Sequence, residues 1–156
     1  MLIRFLGIAL LLFLCGQMQA QYDYAWPIKA QLPLTGNYGE IRPNHFHMGI
    51  DISTQNKENY QVQAIADGWL SRIRISSNGY GKSIYITHAD GHLSLYAHLN
   101  KFEGPIADFV KKLMYEQKIN EFDINLNENE LPVTKGQVIA LSGNTGGSSG
   151  PHLHFE

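Results

Sequence analysis

The feature that most constrains the fold of this chain is a series of short apolar–polar alternations separated by glycine turns. Within residues 61–99, Asp67-Gly68 and Asp90-Gly91 mark turns, as does the polar, glycine-containing stretch 77–81. Residues two apart on a strand point to the same face. The apolar odd positions of residues 93–99 should therefore face a core, and the even positions His92, Ser94, Tyr96 and His98 should form a polar face. The pattern predicts a mainly β domain of antiparallel strands.

Residues 104–130 interrupt this β pattern. Pro105 suits the first turn of a helix, and apolar residues recur after it at helical spacing: Ile106, Phe109, Val110 and Leu113. Residues 120–130 are rich in acidic residues and asparagine, which predicts an exposed loop. We therefore expect a helical insertion over about 104–130 between two strands, with the β pattern resuming at residues 133–141. Such an insertion would offer a surface to a protein partner.

The last seven residues, 150–156, predict a strand that carries two imidazoles on one face. His152 and His154 are two apart, and Leu153 and Phe155 would then point to the opposite face, toward a core. Neutral imidazole is the commonest protein ligand for zinc. The two histidines can share one small site without both being ligands, and surface histidines explain the pattern equally well.

A glycine-rich loop, residues 142–150, leads into this strand. No predicted helix follows the loop and the Walker lysine is absent, which argues against phosphate binding. We interpret it as a loop that bends close to a site and lets backbone groups face a ligand.

A second cluster contains His47 and Asp51. On a straight strand these residues would lie about 13 Å apart, but Gly49 between them permits a bend that brings them together. Alone, the pair is better explained as a surface histidine and aspartate. Together with His98 and the two histidines of the last strand, it supplies enough donors for a catalytic zinc site, which holds three protein ligands and leaves one position for water. Zinc lowers the pKa of such a water, and a nearby imidazole can take its proton.

The first twenty residues have the layout of a secretory signal peptide. Apart from Arg4, the stretch from Leu2 to Leu14 is almost continuously apolar, and Ala20 offers a small residue at a cleavage point. This run is too short for a comfortable membrane span. We predict a signal peptide over residues 1–20 and a mature domain over 21–156, exported to the periplasm or cell envelope without stable membrane insertion. An uncleaved membrane anchor is the alternative.

Charge and cysteine usage exclude several classes of function. The only cysteine, Cys15, lies in the predicted signal peptide, so the mature chain has neither a thiolate zinc site nor a cysteine nucleophile. The formal net charge is -2 and no basic tract is present, which argues against nucleic acid as a partner.

The motifs resemble those of the lysostaphin-type (LytM-like) zinc metalloendopeptidases of peptidoglycan. That family carries His-x-x-x-Asp early and His-x-His late, with a further histidine on a strand between them. Here these are His47 to Asp51, His152 to His154, and His98, and the loop Ser142-Gly143-Asn144-Thr145-Gly146 matches as well. The resemblance covers about residues 35–156 apart from the insertion. It implies a β domain of the duplicated hybrid motif type and zinc-dependent hydrolysis of peptide bonds in peptidoglycan stem peptides or cross-bridges.

The resemblance also implies roles for individual residues. The implied zinc ligands are His47, Asp51 and His154. His98 and His152 would flank the bound water and the scissile carbonyl, with His152 as general base and His98 orienting groups or stabilising the transition state. Tyr38 lies nine residues before His47, where some members place a tyrosine that stabilises the tetrahedral intermediate. Arg42 would bind a substrate carboxylate, or it would form an ion pair at the surface or one that supports the site.

Two alternatives to an endopeptidase stay open. A non-catalytic relative would bind cell-wall peptides or activate another cell-wall hydrolase, but such relatives usually lose the ligands that are all present here. A zinc amidase or other zinc hydrolase would arrive at a similar set by convergence. The chain ends at Glu156, where the family sheet continues, so we expect a C-terminal truncation. Three histidines match no functional position of the family and are interpreted as surface or supporting residues: His45, His88 and His92.

Overall fold

The computed structural model describes residues 23–43 and 45–156. The predicted signal peptide, residues 1–20, lies outside the described residues. Eleven strands and one helix follow in chain order: β1 (Leu34–Gly36), β2 (Ile50–Ser53), β3 (Gln61–Gln63), β4 (Gly68–Ile75), β5 (Ser83–His88), β6 (Leu93–Ala97), β7 (Leu99–Phe102), α1 (Gly104–Gln117), β8 (Phe122–Asn125), β9 (Pro132–Val133), β10 (Val138–Ser142) and β11 (His152–Phe155).

The strands form two sheets in which every pair is antiparallel. The larger sheet has the order β1-β2-β11-β6-β5-β4-β8, with β9 also paired to β4, and the smaller sheet has the order β3-β10-β7. The last strand of the chain, β11, therefore lies between β2 and β6 and is hydrogen-bonded on both sides. This arrangement confirms the prediction of a mainly β, antiparallel domain with one helix.

One hydrophobic core joins the two sheets and the helix. Its fully buried side chains come from the larger sheet and the smaller sheet, and include Leu70, Ile73, Ile84, Ile86, Leu153, Val62 and Ile139. Leu153 is buried while its neighbours His152 and His154 point to the other face of β11, as the alternation of that strand predicts. The core thus fixes which way the two imidazoles of β11 point.

The helix α1 forms where the sequence predicts one. Pro105 occupies its first turn, and the helix ends at Lys118, whose φ of 54° is left-handed. Ile106 and Val110 are its buried residues, and the helix contacts β7 and β10 of the smaller sheet. Among the described residues, no helix is long and apolar enough to cross a membrane.

The prediction of an exposed loop over residues 120–130 is wrong in its first half. Residues 122–125 form β8, which pairs with β4 at the edge of the larger sheet. Phe122 and Ile124 are half-buried opposite Ile75 and Ile73, whereas Asp123 is exposed and pairs with Arg72. The apolar–polar alternation therefore outweighs the acidic and asparagine-rich composition.

The predicted facing of residues 92–99 is also wrong. Tyr96, assigned to the polar face, is fully buried in the main core, while Leu93, assigned to the apolar face, is 54% exposed. Tyr96 can be buried because its hydroxyl accepts a hydrogen bond from the Ile65 amide at 3.0 Å and contacts the Ser94 hydroxyl at 3.2 Å. His98 is not on a strand face: it separates β6 from β7 in a left-handed conformation, with φ of 57°.

Candidate metal centre

The centre of the site is a cross-strand pair joined by a loop residue. Asp51 on β2 lies directly opposite His154 on β11, so both side chains project from the same face of the sheet. His47 comes from the loop before β2. The His47 Nε2, His154 Nδ1 and Asp51 Oδ1 atoms form a triangle in which every edge is 3.0 Å. The structure therefore brings these three residues together.

Gly49 allows His47 to lie beside Asp51. A Cβ atom at this position would lie 2.2 Å from the Phe155 carbonyl oxygen, which no side chain can tolerate. The glycine thus permits β11 to approach the loop before β2 closely, as well as shortening the path between the two donor residues.

Hydrogen bonds to the outer ring nitrogens determine the tautomers of the two imidazoles. The Nδ1 atom of His47 lies 2.8 Å from the Asn37 carbonyl oxygen, and the Nε2 atom of His154 lies 2.9 Å from Glu156 Oε1. Each acceptor takes the ring proton, so the other ring nitrogen presents a lone pair to the centre of the triangle. Two imidazole lone pairs and one carboxylate oxygen therefore converge without a proton of their own.

Such a set of donors fits a metal ion. Tetrahedral zinc with bonds of about 2.0–2.2 Å to nitrogen and oxygen needs donors about 3.3–3.6 Å apart, so the 3.0 Å edges of this triangle would have to open by only a few tenths of an ångström. Two imidazoles and one carboxylate form a common catalytic zinc ligand set, with one position left open. Among the described residues, this trio is the group of histidines and acids close enough together to hold a metal.

The charges around the triangle favour a cation at its centre. Burial disfavours the charge on Asp51, but the surrounding imidazoles of His152, His154 and His47 outweigh it and hold the pKa of this carboxyl well below its ordinary value. Burial also disfavours a charged His154, yet the carboxylates of Asp51 and Glu156 raise the pKa of this imidazole. Both shifts point to a site that stabilises positive charge next to an ionised Asp51.

Arg42 holds the outer oxygen of Asp51. Its Nη2 atom donates to Asp51 Oδ2 at 3.0 Å and to Glu40 Oε2 at 3.1 Å. A Cβ at position 36 would lie 2.4 Å from Asp51 Oδ2 and 2.7 Å from Arg42 Nη2, so Gly36 leaves room for this contact. With Oδ2 occupied in this way, Oδ1 is the oxygen that faces the two imidazoles. Of the interpretations that the sequence left open for Arg42, this contact agrees with a pair that supports the site.

Two further imidazoles flank the triangle. The rings of His98 and His152 lie 4.7 Å apart, and His152 Nε2 is 3.5 Å from Asp51 Oδ1. The Nδ1 atom of His98 donates to the Thr145 carbonyl oxygen at 2.8 Å, and that of His152 donates to the Gly150 carbonyl oxygen at 2.8 Å. The Nε2 atoms are thus the acceptor nitrogens. The glycine-rich loop supplies both carbonyls, which agrees with the prediction that its backbone approaches a site.

Burial keeps His98 neutral. It lowers the pKa of this imidazole to about 4, against a smaller opposing effect of the hydrogen bond to Thr145. With its N–H fixed, the neutral ring presents the Nε2 lone pair as a hydrogen-bond acceptor at neutral pH. His98 and His152 therefore offer two acceptor nitrogens beside the candidate metal site.

Tyr80 and Glu156 belong to the site although the sequence did not single them out. The Tyr80 ring is stacked on His154 with 5.3 Å between centroids, and its hydroxyl donates to the same Glu156 Oε1 atom that binds His154. Burial and the neighbouring Glu156 raise the pKa of Tyr80 above its ordinary value, so the hydroxyl stays protonated. Position 80 lies in a predicted turn, and nothing in its spacing connects it to β11.

A cleft of about 770 Å³ runs over this face of the sheet. Its lining includes the four histidines and the aspartate described above, together with Arg42, Arg74, Tyr80, Ser148 and His45. Tyr38 does not line the cleft and is 70% exposed. His88 is buried between the Asp67 carbonyl and Ser94 and does not line the cleft, so of its two interpretations, a surface or a supporting residue, the first is wrong.

Comparisons with known proteins agree with these observations. The family model described as Peptidase family M23 matches residues 45–120. An uncharacterized metalloprotease of Haemophilus influenzae is 31% identical over 140 residues, which cover 90% of this chain and 23% of that protein. The DD-carboxypeptidase/endopeptidase Mpg of Neisseria meningitidis is 34% identical over 110 residues, covering 70% of this chain and 19% of that protein. The chain spans less than a quarter of the length of either relative.

The fold leads to the same family. The catalytic domain of lysostaphin from Staphylococcus simulans aligns with a TM-score of 0.53 and 26% identity, covering 86% of this chain and 77% of that chain. The matched sequence relatives are metalloproteases and endopeptidases by name, and the structure places a candidate metal site at the motifs that carry the resemblance. This chain contains a domain of peptidase family M23, matched over residues 45–120, as its resemblance to the lysostaphin-type metalloendopeptidases implied.

Proposed function

We propose that this protein is a zinc-dependent endopeptidase that hydrolyses peptide bonds in peptidoglycan stem peptides or cross-bridges. The observation that carries the proposal is the triangle of three acceptor atoms, each 3.0 Å from the others, beside two imidazoles that are not part of it. Membership of a metallopeptidase family and the similarity to an endopeptidase support the reaction type. The peptidoglycan substrate rests on the resemblance to the lysostaphin-type enzymes.

In this proposal, His47, Asp51 and His154 hold the metal. A zinc ion bound there supplies a Lewis acid that lowers the pKa of water and polarises the scissile carbonyl. His152 accepts a proton through Nε2, because its Nδ1 proton is held by the Gly150 carbonyl. His98, whose Nδ1 proton is held by the Thr145 carbonyl, accepts a hydrogen bond at Nε2 and thereby orients the reacting groups.

The exposed position of Tyr38 gives it no contact with this set, and Tyr80 is the tyrosine whose hydroxyl lies beside it. We assign to Tyr80 and Glu156 the task of orienting His154, since both contact that imidazole. Outside the site, we propose a signal peptide over residues 1–20, a peptidase domain over 21–156 and export to the periplasm or cell envelope, where peptidoglycan lies. The region 104–130, with α1 and β8, would be the surface for any protein partner.

Digestion of purified peptidoglycan tests the proposal. Zinc-loaded protein should release fragments with one new amine and one new carboxylate at a peptide bond, identified by mass spectrometry. The matched control is the His152→Ala variant, which keeps all three proposed ligands. If zinc-loaded protein leaves peptidoglycan intact but binds it, the non-catalytic scaffold or activator replaces the endopeptidase. If the new carboxylate lies on the sugar-linked lactyl group and the new amine on the first residue of the stem peptide, the protein is an amidase instead.

A further inference from the structure

The positively charged side chain of Arg74 lines the same cleft as the candidate metal centre, three strands away along the sheet. Arg74 on β4 pairs with Ser83 on β5, and Ala97 on β6 pairs with His154 on β11. The register of β5 against β6 puts Ser83 beside Ala97. Directly opposed residues of neighbouring strands point to the same face. Arg74 and His154 therefore lie in one row on the face of the sheet that carries the cleft.

The length of this row sets the part of a substrate that Arg74 can contact. Neighbouring strands are about 4.8 Å apart, so the three spacings between β4 and β11 amount to about 14 Å. An extended peptide advances about 3.3–3.6 Å per residue. A peptide that lies along the row with its scissile bond at His154 would bring a group roughly three to four residues away to Arg74.

The guanidinium of Arg74 has donors to offer such a group. The nearby carboxylate of Asp123 is bound by Arg72 through two hydrogen bonds of 2.6 Å. Arg74 Nε lies 3.9 Å from Asp123 Oδ2, beyond hydrogen-bond distance, and within residues 23–43 and 45–156 this is its only ion pair. Its side chain is 34% exposed. The two arginines share one carboxylate, and the excess positive charge lies at Arg74.

Among the residues that line the cleft, arginines outnumber acids. The formal net charge of the chain is -2, whereas the arginines and acids that line the cleft are Arg42, Arg74 and Asp51. Arg42 is engaged by Asp51 and Glu40, so Arg74 is the lining arginine directed at a ligand. A cleft with positive walls attracts anionic ligands and raises their local concentration.

We propose that Arg74 is a specificity-determining residue that binds a free carboxylate of the peptide substrate, roughly three to four residues from the scissile bond. This inference rests on the proposed endopeptidase function and narrows its substrate to acidic peptides. The planar guanidinium fork matches a carboxylate with two parallel hydrogen bonds, whereas a carboxamide cannot accept both and carries no charge. Arg74 would thus act on substrate choice and not on the chemical step.

A peptide pair that differs in one group tests the proposal. The bond cut in purified peptidoglycan is identified first, and the cleaved peptide is then synthesised with either a carboxylate or a carboxamide three or four residues from that bond. The ratio of kcat/KM for the two peptides is measured for the wild type and for Arg74→Gln, Arg74→Glu and Lys101→Gln. Lys101→Gln removes the same unit of charge from β7, at a residue that does not line the cleft. Binding of both peptides to each protein is measured in parallel by calorimetry.

The wild type and Lys101→Gln should prefer the carboxylate peptide roughly tenfold, the scale of one charge-assisted hydrogen-bonded contact at a half-exposed site. Arg74→Gln should lose the preference and Arg74→Glu should reverse it. An equal preference in wild type and Arg74→Gln overturns the proposal, as does a wild type that does not discriminate. If zinc-loaded protein cuts neither peptide but binds the carboxylate form through Arg74, the binding site stands and the endopeptidase function fails. If it neither cuts nor discriminates in binding, both proposals fail.

Discussion

Replacing Arg42 by glutamine should weaken zinc binding without unfolding the protein. Arg42 Nη2 holds Asp51 Oδ2 at 3.0 Å and Glu40 Oε2 at 3.1 Å, and it touches none of the three donor atoms itself. Without it, the Asp51 carboxylate can rotate, and Oδ1 no longer has a fixed position relative to the imidazoles. Loss of such a supporting contact costs about 10- to 100-fold in metal affinity, or about 1.4–2.7 kcal/mol.

The effect on folding should be smaller than the effect on zinc. The Arg42 side chain is 35% exposed, and ion pairs with this degree of solvent contact contribute about 0–1 kcal/mol. Competition with a chelator of known affinity measures the zinc Kd, and thermal unfolding of the metal-free protein measures the stability of the fold. Arg42→Lys keeps the charge but not the planar guanidinium, so its zinc affinity should lie between those of the wild type and Arg42→Gln.

The matched control is Arg72→Gln, which breaks an arginine–aspartate pair at the edge of the sheet, away from the cleft. It should leave zinc affinity unchanged. The reasoning is refuted if Arg42→Gln binds zinc as tightly as the wild type, or if Arg72→Gln weakens binding equally. The first result would mean that the backbone alone positions Asp51, and the second that the loss reflects overall charge.

Three further outcomes follow from the structure. Chelation should lower Tm by about 8–16 °C, because zinc at about 1,000 times its Kd contributes about 4 kcal/mol and each kcal/mol shifts a chain of this size by about 2–4 °C; an unchanged Tm in differential scanning calorimetry would show that the site holds no metal. The His152→Ala variant should keep its zinc while single-turnover cleavage falls by roughly 10²–10⁴, and His154→Ala should lose the metal; elemental analysis showing the reverse would exchange the two roles. Tyr96→Phe should destabilise the fold by about 1–3 kcal/mol, because the buried Ile65 amide loses its acceptor, while the exposed Tyr115→Phe serves as a control; equal stability of the two variants in urea would contradict this.

The sequence predicts most of the fold because its signals are local. Alternation and glycine turns specify strands such as β5 and β11, and the spacing of Ile106 and Val110 specifies α1. The errors arise where a group distant in the chain determines whether a residue is buried or forms a strand. Tyr96 is buried because the Ile65 amide, far away in the chain, satisfies its hydroxyl. Residues 122–125 form a strand because β4 offers them an unpaired edge.

The residues of the candidate site could likewise be predicted only in part. Short motifs mark His47, Asp51 and the two histidines of β11, because metal ligands cluster in recognisable spacings. The groups that orient those ligands are not marked by any motif in the sequence. Tyr80 reaches His154 only through the packing of a turn against β11, and Arg42 reaches Asp51 only because Gly36 leaves room for it. Such contacts depend on the folded geometry and cannot be derived from the order of residues.

The hydrogen bonds on the outer nitrogens of the imidazoles have a consequence for how the protein can evolve. Three of the four acceptors are main-chain carbonyls, those of Asn37, Thr145 and Gly150, and only that of His154 is a side chain, Glu156. A carbonyl is present whatever side chain its residue carries. Substitutions in these loops can therefore reshape the walls of the cleft without changing the ring tautomers. New substrate preferences can arise in the loops while the reactive groups stay as they are.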